Sequence, residues 1–133
     1  MTRDEIVKYW IDSAEVDALA MDNLFSNGHN LWALFVGHLV VEKLLKAYYA
    51  KNVDTKVPRT HDLLKIAQKA KMELAEEQKD FLDEVTTFNL KARYPDYKNR
   101  FYRKATREFV SVYMAEIKDF IVSDEWICEK VNC

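Results

Sequence analysis

Two polar residues, His38 and Glu42, stand within an otherwise apolar stretch of the sequence. At 100° per residue they share one helix face with several large apolar residues, namely Leu31, Leu34, Phe35, Leu45 and Tyr49. A carboxylate on such an inward face is costly to bury unless a cation or several hydrogen-bond donors accompany it. Two interpretations follow: a hydrogen-bonded pair that fixes helix register, or a cleft that brings a basic residue to Glu42.

The basic residues that could pair with Glu42 are concentrated in one segment, 91–107. Its cations outnumber its single acid, Asp96, by seven to one, which gives it a net charge of +6 in a chain whose overall charge is -2. A guanidinium matches a carboxylate at two points. We therefore expect Glu42 to lie within salt-bridge reach of Arg93, with Arg100 as the second choice.

The same segment carries the aromatic residues Tyr94, Tyr97, Phe101 and Tyr102. Guanidinium groups that hold phosphates and rings that stack on bases are typical of single-stranded nucleic-acid binding. The alternative is a solvated helix start whose aromatic side chains turn into the core. The candidate ligand-binding residues are Glu42, Arg93, His38, Tyr97, Lys98 and Arg100.

Residues with the spacing of a known catalytic or metal-binding motif are absent from the sequence. His29, His38 and His61 share no metal-ligand spacing, and Cys128 and Cys133 are too few for a four-ligand zinc site. There is also no nucleophile elbow and no phosphate-binding glycine loop. We therefore predict no catalytic residue, no metal and no cofactor, and we interpret the cysteines as reduced thiols of undetermined role and His61 as a hydrogen-bonding residue at a helix start.

Helices must position these side chains, because the composition is 49% hydrophobic with only two Gly and two Pro, which argues against a β-rich or loop-rich fold. Helical periodicity predicts segments at about 2–26, 30–51, 60–70, 75–90 and 103–123, with a loop or kink at 93–99. Short connections predict an all-α, up-and-down helical bundle of four or five helices. We assign residues 1–123 to this bundle and 124–133 to a C-terminal tail.

The second predicted helix is apolar almost all round as far as Val41, which places it at the centre of the bundle. Gly37 inside it costs about 1 kcal/mol relative to Ala, so we expect a close approach of another helix there. Gly28 suits the left-handed conformation that ends the first helix. Thr2 and Thr60 are the expected N-terminal caps of the first and third helices.

The sequence has no apolar run near the roughly 20 residues that span a bilayer. The first ten residues, 1–10, do not read as a signal peptide. We therefore expect a cytoplasmic protein that does not enter a membrane.

The motifs occur in a characteristic order along the chain. Residues 38–47 read HLVVEKLLKA, residues 60–63 read THDL, and residues 92–97 read ARYPDY. This order resembles HEPN domains, the higher eukaryotes and prokaryotes nucleotide-binding family, as far as about Ile121. The resemblance implies a short up-and-down bundle, usually dimeric, that often occurs beside a minimal nucleotidyltransferase in toxin–antitoxin-like or accessory pairs.

Ribonuclease members of the family carry an Arg followed, after four to six residues, by a His at a cleft between two subunits. Arg93 stands where that Arg would be, but the positions for the His hold Lys98, Asn99 and Arg100. The acid/base group for metal-independent RNA cleavage is therefore missing. The resemblance favours a non-catalytic module that forms a homodimer and binds a nucleotide, RNA or a minimal nucleotidyltransferase. The alternatives are a divergent ribonuclease, in which Arg93 and Glu42 act with His38, and a structural subunit of another enzyme.

Overall fold

The computed structural model describes residues 1–94 and 100–123, with side chains as far as Ile121. This part of the chain contains helices and no strand, so the predicted all-α helical bundle is confirmed. The helices are α1 (Arg3–Ser26), α2 (Asn30–Asn52), α3 (Leu63–Lys69), α4 (Glu76–Lys91), α5 (Arg100–Lys104) and α6 (Arg107–Ser123). The tail with both cysteines lies outside the described residues. None of these helices is long and apolar enough to cross a membrane.

Polar caps and one glycine determine where the first helices begin and end. Thr2 Oγ1 accepts a hydrogen bond from the backbone N–H of Glu5 at 3.2 Å, which confirms the predicted cap of α1. Gly28 adopts φ +82° directly after α1, as expected. The predicted cap of α3 was wrong by two residues: Asp62, and not Thr60, accepts a backbone N–H of the first turn at 3.2 Å.

The last predicted helix is divided into α5 and α6 at Ala105 and Thr106. Thr106 Oγ1 accepts the backbone N–H of Phe109 at 3.2 Å, so Thr106 caps a new helix. The prediction of one continuous helix rested on the helical spacing of its apolar residues and did not recognise Thr106 as a cap. The bundle therefore has six helices in its described part, two of them short.

α2 lies at the centre and packs against α1, α3, α4 and α6. Gly37 allows this crowding, because a Cβ at its position would lie 2.6 Å from Ile117 Cδ1 of α6 and 3.3 Å from Met21 Sδ of α1. The close approach predicted for Gly37 is confirmed. Gly37 therefore lets both α1 and α6 contact α2 at the same position.

Candidate functional site

The polar centre of the bundle consists of Glu42, Lys46 and His61. The Glu42 side chain is only 6% exposed, and its Oε2 accepts a hydrogen bond from Lys46 Nζ at 3.0 Å. Its Oε1 lies 2.7 Å from Nδ1 of His61. Because an ionised carboxylate only accepts hydrogen bonds, we assign the proton of this contact to Nδ1. Both oxygens of the buried carboxylate are thereby satisfied.

The predicted ion pair between Glu42 and Arg93 is wrong. Within the described ranges, no atom of Arg93 comes within salt-bridge distance of Glu42, whose ionic partners are on α2 and just before α3. Lys46 follows Glu42 by one helical turn, so this pair forms inside a single helix. Arg93 instead donates to Asn89, from Nε to the backbone oxygen at 2.8 Å and from Nη2 to Oδ1 at 3.2 Å.

His38 lies beneath the polar centre and is fully buried. Its Nε2 is 3.0 Å from the backbone oxygen of His61, which requires a proton on Nε2. Burial lowers the pKa of His38 below its usual value, an effect that the His61 carbonyl and the Glu42 charge oppose and that the charges of His61 and Arg93 reinforce. His38 is therefore a neutral residue that holds the start of α3 against α2, and its ring offers no surface to a ligand.

His61 combines a fixed orientation with an exposed ring. Its side chain is 63% exposed, although Nδ1 is bonded to the buried Glu42. The edge that faces solvent therefore carries Nε2. A carboxylate that fixes the tautomer and orientation of an imidazole is the arrangement that prepares histidine for proton transfer. The prediction that His61 forms a hydrogen bond at a helix start is confirmed. Its partner was not predicted, and the only signal for that partner was the need of Glu42 for a donor.

A second group of candidate residues surrounds a pocket between the end of α4 and α5, which we call the α4–α5 pocket. Its volume is about 320 Å³, and its lining consists of Lys91, Tyr94, Arg100, Phe101 and Lys104. Phe101 is buried and lies 5.8 Å from Lys91 Nζ, whereas Tyr94 is exposed. The interpretation that the aromatic side chains turn into the core therefore holds for Phe101, whereas the exposed Tyr94 does not follow it.

Arg93 connects the α4–α5 pocket to the first turns of α2 through stacked side chains. Its guanidinium carbon lies 4.9 Å from the ring centre of Phe35 and 5.1 Å from that of Tyr94, both within cation–π distance. Phe35 meets Trp32 edge to face, with ring centres 5.9 Å apart. We call this set of Trp32, Phe35, Arg93 and Tyr94 the aromatic row.

Tyr97 and Lys98, which were also predicted to bind a ligand, lie outside the described residues. In residues 1–94 and 100–121, no three His, Cys, Asp or Glu side chains come together in a way that could hold a metal ion. The candidate residues in the described part of the chain thus form two groups, the buried Glu42 with its partners and a cationic and aromatic surface.

The chain matches the family model of the HEPN domain over residues 7–124. It belongs to the HEPN domain family. Neither the curated proteins nor the solved structures include a significant match to it. Membership connects this HEPN domain to nucleotide- and RNA-related functions in general terms. The sequence contains no His after His61.

Proposed function

We propose that this HEPN domain binds single-stranded RNA or a nucleotide through the α4–α5 pocket and the aromatic row, without cleaving it. The observation that carries the proposal is the pocket itself, where three cations and the exposed Tyr94 surround a space of about 320 Å³. This volume lies within the range of roughly 300–1,000 Å³ that ligand sites occupy. Cations for phosphates and rings for bases are the two parts that such binding requires.

The cations of the basic segment 91–107 differ in how far other groups of the protein already engage them. Arg107 donates to the backbone oxygen of Phe25 at 2.8 Å and covers its ring, so it joins α6 to the end of α1. Lys104 lies 4.0 Å from Glu84, which offsets part of its charge. Lys91 Nζ lies over the ring of Phe101, and no ion pair of Lys91 is found among the described residues. We therefore expect Lys91 to contribute more to phosphate binding than Lys104 or Arg107.

Fluorescence anisotropy with a labelled single-stranded RNA of about ten nucleotides tests the proposal. Affinity should fall with salt, and Lys91→Gln should reduce the slope of log affinity against log salt by about 0.7, the value for one phosphate contact on a single strand. Lys69→Gln on α3 removes the same charge from another exposed position and should leave the slope unchanged. No binding at low salt, or equal effects of the two substitutions, would contradict the proposal.

We infer in addition that the domain forms a homodimer, with α1 as the contact surface. Tyr9, Val16 and Leu19 are exposed and lie on one face of α1, which packs mainly on α2. Because HEPN domains often occur beside a minimal nucleotidyltransferase, we also expect such a partner, in a toxin–antitoxin-like or accessory pair. Sedimentation of the wild type and of Leu19→Glu tests the dimer: a monomer at micromolar wild-type protein, or a dimer that Leu19→Glu leaves intact, would contradict this inference.

A divergent metal-independent ribonuclease is the second candidate function, and the exposed His61 favours it. The chemistry would differ from that expected from the sequence, because His38 is buried and His61 takes its place as the proton acceptor. RNA cleavage in the presence of a chelator, measured for the wild type, His61→Ala and Arg93→Ala, separates the two candidates. We expect no cleavage above background. Cleavage lost in His61→Ala or in Arg93→Ala would establish the second function, and cleavage that survives both substitutions would indicate contamination.

A further inference from the structure

A second pocket lies beside the α4–α5 pocket, on another flank of the same two segments. Three residues of the first pocket are each followed in the chain by a residue of the second: Lys91 by Ala92, Phe101 by Tyr102, and Lys104 by Ala105. Successive helical residues point about 100° apart. The end of α4 and α5 therefore separate two pockets with different linings.

The second pocket offers aromatic rings where the first offers charge. Its volume is about 440 Å³, and its lining includes Leu31, Trp32, Ala92, Tyr102 and Ala105. Trp32 is 51% exposed and Tyr102 is 65% exposed, whereas Ala92 and Ala105 are buried. Two large rings beside an apolar floor form a surface on which a planar aromatic ligand can stack.

The same pocket also contains hydrogen-bonding groups that lack partners. The first turn of α2 lines it, and His29, at the N-cap of that helix, makes no side-chain cap. The first helical hydrogen bond runs from Ala33 N–H to His29 O, so the N–H groups of residues 30–32 have no helical acceptor. Asn30 Oδ1 is buried, and no donor in the described part of the chain reaches it. Donors and an acceptor are what the edge of an unpaired nucleobase requires.

The aromatic row joins the two pockets. Trp32 belongs to the lining of the second pocket and Tyr94 to that of the first, and Phe35 and Arg93 lie between them. The edge-to-face contact with Phe35 restricts the Trp32 ring in the absence of a ligand, which lowers the cost of ordering it on binding. A strand that places a phosphate in one pocket can therefore reach the other along a continuous surface.

We propose that the second pocket is a nucleobase site, in which an unpaired base stacks on Trp32 and Tyr102 and hydrogen-bonds with Asn30. This inference rests on the proposed function, because the neighbouring phosphate is held in the α4–α5 pocket. It assigns base recognition to α2 and α5 and phosphate recognition to the cations of α4 and α5. The ligand is an unpaired base, supplied either by single-stranded RNA or by a free nucleotide.

Two oligonucleotides with the same number of phosphates, one of RNA and one abasic, test the inference by anisotropy. Stacking on one base is worth about 1–3 kcal/mol, so the abasic strand should bind about 5- to 150-fold more weakly. Trp32→Leu and Tyr102→Leu should reduce RNA affinity within the same range and leave abasic binding unchanged. Val112→Ala, at an exposed apolar residue on α6, is the control, and Trp32→Phe should restore most of the affinity.

The outcomes separate this inference from the function on which it rests. Equal binding of the two strands, or equal effects of Trp32→Leu and Val112→Ala, would overturn the base site and leave phosphate binding intact. Binding of neither strand would overturn both. Quenching of the wild-type tryptophan fluorescence by adenosine monophosphate but not by ribose 5-phosphate, absent in Trp32→Phe, would show that a free nucleotide suffices. Quenching by neither small molecule, with the RNA preference retained, would identify the strand as the source of the base.

Discussion

Replacing Glu42 by Gln should destabilise the bundle strongly. The amide keeps the size of the carboxylate but offers one acceptor to the two donors, Lys46 Nζ at 3.0 Å and His61 Nδ1 at 2.7 Å. It therefore leaves the charge of Lys46 without a counter-charge, although the Lys46 side chain is only 9% exposed. Removing one partner of a buried pair costs about 3–5 kcal/mol. We expect about 3 kcal/mol, because the long stem of Lys46 lets its ammonium move toward water.

Urea unfolding followed by circular dichroism measures this change. With slopes of about 1–3 kcal/mol per molar urea, the midpoint of Glu42→Gln should fall by roughly 1–3 M. The chain contains a matched control in Lys8 and Asp12, an exposed pair with the same four-residue spacing and an N···O distance of 2.9 Å. Asp12→Asn should cost no more than about 0.5 kcal/mol. The two pairs thus differ chiefly in burial and in the order of their charges.

Double-mutant cycles identify the partner of Glu42. Glu42→Gln with Lys46→Met should show a coupling of at least about 0.5 kcal/mol, as expected for contacting residues, whereas Glu42→Gln with Arg93→Gln should be additive. The reasoning is refuted if Glu42→Gln costs no more than Asp12→Asn. Coupling to Arg93 and none to Lys46 would restore the ion pair that the sequence predicted.

Three further changes test other parts of the structure. Gly37→Val should cost about 1–3 kcal/mol by overpacking, since even its Cβ would lie 2.6 Å from Ile117 Cδ1; an unchanged urea midpoint would contradict the close approach. Gly28→Ala should cost about 1–2 kcal/mol through backbone strain alone, because φ is +82° and no atom lies within 4 Å of the added carbon; a stabilised variant would contradict this. Because the pKa of His38 is lowered in the folded protein, His38 takes up a proton at a higher pH in the unfolded chain than in the folded one. The stabilisation from neutral His38 is therefore present above about pH 6.5 and is lost as the pH falls below it. His38→Gln should therefore reduce the fall in unfolding free energy between pH 7 and 5.5, and an identical fall would refute the assignment.

The helices that the sequence predicted well are those whose evidence is local. The run of apolar residues around Val41 indicated a central helix, and Gly37 within it indicated a close neighbour, because both depend on spacing along one element. Gly28 and Thr2 were predicted for the same reason. The division of the last helix was missed, although Thr106 carried a local signal, because its flanking apolar residues continue at helical spacing.

The partner of Glu42 was mispredicted because it depends on how separate elements meet. The sequence showed correctly that an inward carboxylate needs a cation, and Lys46 was available at the favourable four-residue spacing. The position of His61 follows from the loop between α2 and α3, for which no periodic pattern exists. Arg93 was expected to reach Glu42, but just after α4 it contacts Asn89 and Phe35 instead. Which way a helix end faces cannot be read from spacing alone.

The missing side chain at Gly37 has a consequence for how the chain folds during synthesis. It leaves a notch between α1 and α2, with Met21 and Gly37 on two sides, and Ile117 of α6 fills this notch. The notch therefore exists only after α1 and α2 have packed together. The 80 residues from Gly37 to Ile117 take roughly 4–16 s to synthesise on the ribosome. For that time the α1–α2 hairpin, whose contacts are local and form quickly, must hold an open apolar notch. The nascent α1–α2 hairpin thus exposes a site that α6 later fills, and a chain interrupted before α6 would leave this apolar site uncovered.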